Sequence, residues 1–238
     1  RRVGARAGAY RARRGLARPC DGMGARGAGV PEAAGAPPAV RNVTGRSLQS
    51  RRPGSPPEPR DFSLVPFRGG EYPSDLAITG TIGRSADALS MRCVIAGDLS
   101  SLAVPPAAPS PERKGRLWEE TCIELFLGVK GSVAYWEIHI SPAGHWNVYR
   151  FASYREGRRE EPAFSSLPFG MRSGHRSLRL SMELELGKFL PAAIDAEIGI
   201  CAVIKTKTGG TSHWALAHPG TRPDFHRREG FALTLPGE

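Results

Sequence analysis

Residues 117–128, Leu-Trp-Glu-Glu-Thr-Cys-Ile-Glu-Leu-Phe-Leu-Gly, put a tryptophan and three carboxylates within seven positions. Trp118, Glu119 and Glu120 lead into an alternating run in which Glu124 stands among apolar residues. A carboxylate on a core strand is costly unless it is paired or hydrogen-bonded. Two readings follow. Either these acids hold sugar hydroxyls or a cation beside an aromatic platform, or Glu124 is satisfied by a buried arginine or by solvent.

A second group lies in residues 133–155. Tyr135-Trp136-Glu137-Ile138-His139-Ile140-Ser141 alternates with period two, and Trp146, Tyr149, Tyr154 and Arg155 follow a Pro142-Ala143-Gly144 turn. With Trp136, Ile138 and Ile140 facing a core, Tyr135, Glu137, His139 and Ser141 share the other face. Aromatic rings beside planar hydrogen-bonding groups suit a sugar, because the ring packs on C–H surface while the polar groups meet hydroxyls. The competing reading is an aromatic-rich core whose polar tips are satisfied internally.

His213, His218, Asp224 and His226 form a third group, with the donor chemistry of a metal-dependent hydrolase. On a strand, His213 and His218 are five apart and point to opposite faces. A shared site would need the loop to fold back. Otherwise His218, Asp224 and His226 hold the 219–230 loop by hydrogen bonds and form a pocket rim. Haem ligation by a Met and a His would draw on Met91, Met171 or Met182, but Met91 and Met182 stand where core residues are expected. No strained serine turn for Ser-His-Asp catalysis is visible.

The elements that must position these groups read mostly as strands. Phe62, Leu64 and Phe67 begin the first, Leu76, Ile78 and Ile82 mark the second, and Leu89, Met91, Cys93 and Ile95 the third. A proline-rich loop spans 103–116. Strands follow over 122–127, 133–141 and 145–154, the last two as a hairpin. After a charged loop at 155–166 come Leu178 to Leu186, a helical turn at 187–191, Ala196 to Ile204, a Gly209-Gly210 turn, 211–217 and finally Phe231 to Leu235. About nine or ten short strands with almost no helical period predict an all-β fold, an antiparallel β-sandwich. No Gly-rich phosphate loop, GxSxG elbow, HExxH pair or CxxC pair occurs.

The charge is unevenly placed. Of 238 residues with a net charge of +10, the first 60 carry 13 arginines against Asp21, Glu32 and Glu58, so the remaining 178 are balanced. Net charge therefore gives no reason to expect a nucleic-acid partner for the domain. Those 60 residues are mainly Ala, Arg, Gly and Pro and hold one aromatic, Tyr10. Such a segment cannot offset its ordering entropy by burial, so 1–60 is expected to be a disordered tail and 61–238 one domain. The tail reads either as GC-rich DNA translated upstream of the true start or as a basic arm that touches anionic surfaces. No signal peptide and no membrane span is visible. Cys20, Cys93, Cys122 and Cys201 lack metal-ligand spacing, which fits a reducing, cytoplasmic setting.

Trp118-Glu119-Glu120-Thr121-Cys122-Ile123-Glu124-Leu125-Phe126-Leu127, Tyr135-Trp136-Glu137, Ser141 to Trp146, Tyr149-Arg150-Phe151, Tyr154-Arg155, and His213 to Pro219 with Pro223-Asp224-Phe225-His226 resemble the bacterial DOMON-like proteins. These are distant relatives of DOMON domains and of family 9 carbohydrate-binding modules. The resemblance spans 61–238 and implies a jelly-roll-like sandwich that binds a ligand, sugars or haem being the ligands of the wider superfamily. It also implies that Trp118, Glu119, Glu120 and Glu124 lie near the site. The chain departs from the pattern at Ile123, where an aromatic is usual, and at His139, which stands in a place associated with Asn. No ligating Met can be matched, so haem ligation does not carry over.

The expectation is a non-catalytic domain that binds a small carbohydrate or similar polyol, with no metal or other cofactor. Trp118, Glu119, Glu120, Glu124, Glu137, His139, Trp146, Tyr149, Tyr154, Arg155, His218 and His226 are its candidate ligand contacts. The alternatives are a haem-binding electron-transfer domain and a metal-dependent hydrolase built on the C-terminal His/Asp group.

Overall fold

The computed structural model of the protein describes residues 58–85 and 87–237. The expectations for the tail and for Cys20 lie outside the described residues. Among the described residues twelve strands follow in chain order: β1 Arg60–Pro66, β2 Ala77–Ser85, β3 Ala88–Ala96, β4 Cys122–Val129, β5 Tyr135–Ile140, β6 Trp146–Phe151, β7 Arg159–Glu160, β8 Phe169–Gly174, β9 Ser177–Glu185, β10 Ala196–Lys205, β11 Thr211–Ala215 and β12 Leu233–Leu235. Their pairing is antiparallel throughout.

The hydrogen-bonded order is β7-β6-β5-β4-β10-β11-β1-β2-β3-β9-β8, with β12 beside β10. This path curls into a sandwich because β1 serves both layers. Its residues 60–64 pair with β2, while Val65 and Pro66 pair with β11. Ile78, Met91 and Leu180 of the first layer and Ile123, Leu125 and Ile138 of the second belong to one core between them. Each comes from the apolar phase of a period-two strand, so burial of that phase is what holds the layers together.

The two layers differ on their outer faces. In β9 the buried and exposed residues alternate, whereas β5 is buried along its whole length. The outer face of β4 and β5 is covered by a second apolar cluster containing Phe126, Tyr135, Phe151 and Phe231. A polar residue on that face is thus under cover. Ten of the strands coincide with the periodic runs in the sequence. The two additional ones, β7 and β8, carry little period-two signal: β7 has two residues, and Gly170 and Gly174 interrupt β8.

Candidate functional site

The covered outer face of β4 and β5 carries three polar side chains. Period two puts Glu137 and His139 on one face of β5, and register puts Glu124 of β4 directly across from His139. All three are almost wholly buried, with exposures of 3% for Glu124, 5% for Glu137 and 0% for His139. His139 Nε2 lies 2.9 Å from Glu137 Oε1 and 3.9 Å from Glu124 Oε1. The Cys122 thiol donates to Glu124 Oε1 at 3.4 Å. The imidazole is held edge-to-face by Trp118 and by Tyr149, with centroids 5.5 Å away in each case.

Above this floor is a cleft of about 450 Å³. Trp118 and Phe225 form walls, and Arg155, Arg158, Asp224 and His226 stand around it. Trp118 is placed by a 3₁₀ turn, Leu117–Glu119, which follows Arg116 in a left-handed conformation at φ 61°. Thr121 anchors this turn by donating to the Ala103 carbonyl and accepting the Lys205 N–H. Arg155, at φ 58°, is the other non-glycine residue with left-handed φ among the described residues. Such conformations persist where surrounding contacts fix them. Here the Tyr135 hydroxyl accepts the Arg155 N–H at 3.1 Å, and the Arg155 guanidinium donates to Asp224 at 2.7 Å.

Asp224 ties the 217–231 segment down over the sheet. Its carboxylate accepts the Tyr154 hydroxyl, the Arg155 guanidinium and the His226 N–H. His226 Nδ1 meets the Tyr135 hydroxyl at 2.8 Å. Arg228 donates to the Val129 and Ala134 carbonyls and to Glu197, clamping the far end of the same segment. Arg158 is held differently, over the rings of Tyr149 at 5.1 Å and Trp118 at 5.5 Å.

Burial pushes the Glu124 carboxyl up to about 7, with the charge of Glu137 adding to the rise and that of His139 opposing it. Burial would also raise Glu137, but contact with His139 overcomes it and holds this carboxyl below its ordinary value. Burial favours neutral His139, yet the two carboxylates raise its pKa. Burial pushes the thiols of Cys122 and Cys201 well up, so both stay protonated. The floor is therefore a compact group of three interacting ionisable side chains in a dry setting, where a charge or a hydrogen-bonding group that enters is strongly felt.

Of the residues singled out in the sequence, Trp118, Glu124, Glu137, Arg155, His213, Asp224 and His226 line this one cleft. His139 sits in its floor, with Tyr149 packed on it. Tyr154 reaches the rim through Asp224 but lines a neighbouring hollow with Val133. Glu119 is exposed and paired with Arg116, and Glu120 is exposed. Trp146 lies on the opposite face, in the core between the layers, with Arg113 over its ring at 4.8 Å. The parity of β6 fixes this, since residues 146 and 149 are three apart and cannot share a face. His218 donates from Nε2 to the Val65 carbonyl at 2.9 Å and so ties the segment to β1.

The C-terminal His/Asp residues do not come together as ligands. His213 lines the cleft with Asp224 and His226, but His218 Nε2 is on the Val65 carbonyl, Asp224 on Tyr154 and Arg155, and His226 Nδ1 on the Tyr135 hydroxyl. Among the described residues, the set of three metal-capable side chains is instead Glu124, Glu137 and His139, whose donor atoms lie within 4.8 Å of one another. The cleft lining holds no methionine, and Met91 and Met182 pair with each other across β3 and β9 in the core. Sequence reasoning passed over Arg158, which sits in a charged loop with no periodic signal.

No protein-family model and no curated protein matches the chain. Solved structures do. A candidate carbohydrate-binding protein from Bacteroides uniformis is similar over 76% of this chain and 87% of its own, with a TM-score of 0.57 and 17% identity. A family 9 carbohydrate-binding module from Caldicellulosiruptor kristjanssonii, in complex with cellotriose, is similar over 64% of this chain and 71% of its own, with a TM-score of 0.38 and 12% identity. Its complex with glucose gives a TM-score of 0.37. At 17% identity the likeness to the Bacteroides uniformis protein is one of fold.

Proposed function

We propose that the cleft binds a small carbohydrate or similar polyol without changing it, in a domain of the DOMON-like kind. The observation that carries this reading is the meeting, in one cleft, of two buried carboxylates with the ring of Trp118. Carboxylates accept hydroxyl protons, the Arg155 and Arg158 guanidiniums donate to hydroxyl oxygens, and an indole face covers the apolar side of a pyranose. The volume of about 450 Å³ is in the range of small-molecule sites. The description of the Bacteroides uniformis protein as a candidate carbohydrate binder supports the same reading.

Carboxylate placement argues against glycoside hydrolysis. That chemistry sets two carboxyl groups on either side of the scissile bond. Glu124 and Glu137 instead sit side by side in the floor and share one imidazole. Buried, free Cys93, Cys122 and Cys201 suit a reducing compartment, which supports a cytoplasmic setting as part of this proposal.

Calorimetry with neutral mono- and disaccharides, read alongside tryptophan fluorescence, tests the reading. A saturable heat with a fluorescence change is expected. Trp118→Ala should weaken binding by about tenfold or more, which is about 1.4 kcal/mol. A panel of sugars that produces neither heat nor a fluorescence change would reject it.

A further inference from the structure

The floor of the cleft has the makings of a metal centre. Its donors are one imidazole nitrogen and one oxygen from each of two carboxylates, all within 4.8 Å of one another. They stand on two adjacent strands at fixed register, so the spacing is set by the sheet and not by a loop. Three protein ligands with further positions open is the pattern of an accessible first-row metal site.

Two further features point to a cation. The first is charge. Glu124 and Glu137 are both buried, and among the described residues no lysine or arginine nitrogen comes within 4 Å of either. Their ion-pair contacts are with His139 and His226. With both carboxyls ionised and the imidazole neutral, as metal ligation requires, the three donors carry two negative charges, which one divalent ion would cancel. The second is the state of His139. Its ring is fully buried, yet neither Nδ1 nor Nε2 makes a hydrogen bond of normal geometry. The 2.9 Å approach of Glu137 to Nε2 is close but off the in-plane axis of that nitrogen. The axis along which Nε2 offers a proton or a lone pair is thus not spent on either carboxylate. Buried polar atoms in proteins are rarely left so.

We propose that Glu124, Glu137 and His139 bind one divalent first-row transition ion, of the zinc or cobalt type, with its open positions facing the cleft. An imidazole in a set of only three protein donors disfavours calcium, which takes six to eight oxygens, and magnesium, which keeps its waters. Trp118 and Tyr149, packed on the His139 ring, fix its orientation in the role usually filled by a hydrogen bond to the second nitrogen. The inference uses the same two carboxylates as the carbohydrate reading but concerns the ion alone, and its test contains no sugar, so failure of one is distinguishable from failure of the other.

Zinc chloride titrated into the full chain in a calorimeter, followed by dialysis and metal analysis, should show one ion per chain. Cobalt added to the same protein should give visible ligand-field bands. His139→Gln and Glu137→Gln should each weaken zinc by at least about tenfold and abolish the cobalt bands, while Cys20→Ser leaves both unchanged. Should the His139 variant fail to fold, Glu124→Gln, close in shape to the native residue, carries the test. Its circular dichroism should match the parent while its zinc affinity falls. A chain that retains no zinc would overturn the proposal. So would variants that bind zinc as the parent does, or calcium that binds as tightly as zinc.

Discussion

Asp224 is the residue on which the cleft wall turns. It accepts from Tyr154, Arg155 and His226, and so links the hairpin end to the 217–231 segment. Burial tends to raise its carboxyl, but the hydrogen bonds from Tyr154 and Arg155 outweigh this and hold it below its ordinary value. A depressed folded-state pKa means that the stabilisation is fully present above the unfolded value, about 3.9 for aspartate, and is lost as pH falls through the folded one. Acidification below about pH 4 should therefore loosen the segment and change the fluorescence of nearby Trp118. Asp224→Asn should be looser already at neutral pH and should lack that part of the acid transition. Identical acid titrations of the two proteins would count against this account. Asp224 was visible in the sequence as part of a His/Asp group, but its partner was not. Tyr154 is 70 residues away, and only the folded segment brings them together.

At the scale of elements, strand parity was legible and strand neighbours were not. Period two in residues 135–141 separates Trp136, Ile138 and Ile140 from Glu137 and His139, and the structure has this division. The same rule applied to residues 146–151 puts Trp146 on the core side. Register across β4 and β5 depends on close packing between strands that share no local signal. Gly80 of β2 shows how tight that packing is. It lies between Phe62 of β1 and Cys93 of β3. A methyl group there would come within 2.0 Å of the Arg92 carbonyl oxygen and 2.5 Å of the Phe62 ring. Gly80→Ala should destabilise the fold by about 1–3 kcal/mol, at about 2–4 °C of melting temperature per kcal/mol for a domain of this size. Calorimetric melting checks it, and an unchanged midpoint would show that the β1–β2–β3 contact yields more readily than described.

For the whole molecule, β1 is the element that both layers require. Its first five residues complete one layer, and its last two join the other through β11, some 150 residues later in the chain. Its loss would expose the edge of β2 and cut the link that curls the sheet. Two truncations separate this role from that of the preceding segment. A chain that begins at Glu58 should melt cooperatively at the temperature of the full chain and bind the same ligands, because β1 starts at Arg60. A chain that begins at Arg68 lacks β1 and should not show a cooperative transition. Scanning calorimetry of the two resolves the matter, and similar melting curves would refute the assignment. Pairing across such sequence distance also implies folding in milliseconds to seconds, which stopped-flow refolding measures.

The sequence by itself determined the all-β class, the strand phases and the residue types near the cleft. Alternation is written locally, two residues at a time, and burial of the apolar phase enforces it. The tertiary structure decided which polar residues meet. Glu124 faces His139 through register, Trp146 is turned to the core, Glu119 and Glu120 are turned out to solvent, and Arg158 and Asp224 are brought to the rim. Those outcomes depend on which strands are neighbours and on a loop folding back over the sheet. Both are settled by the packing of the whole chain, and no local pattern of residues encodes them.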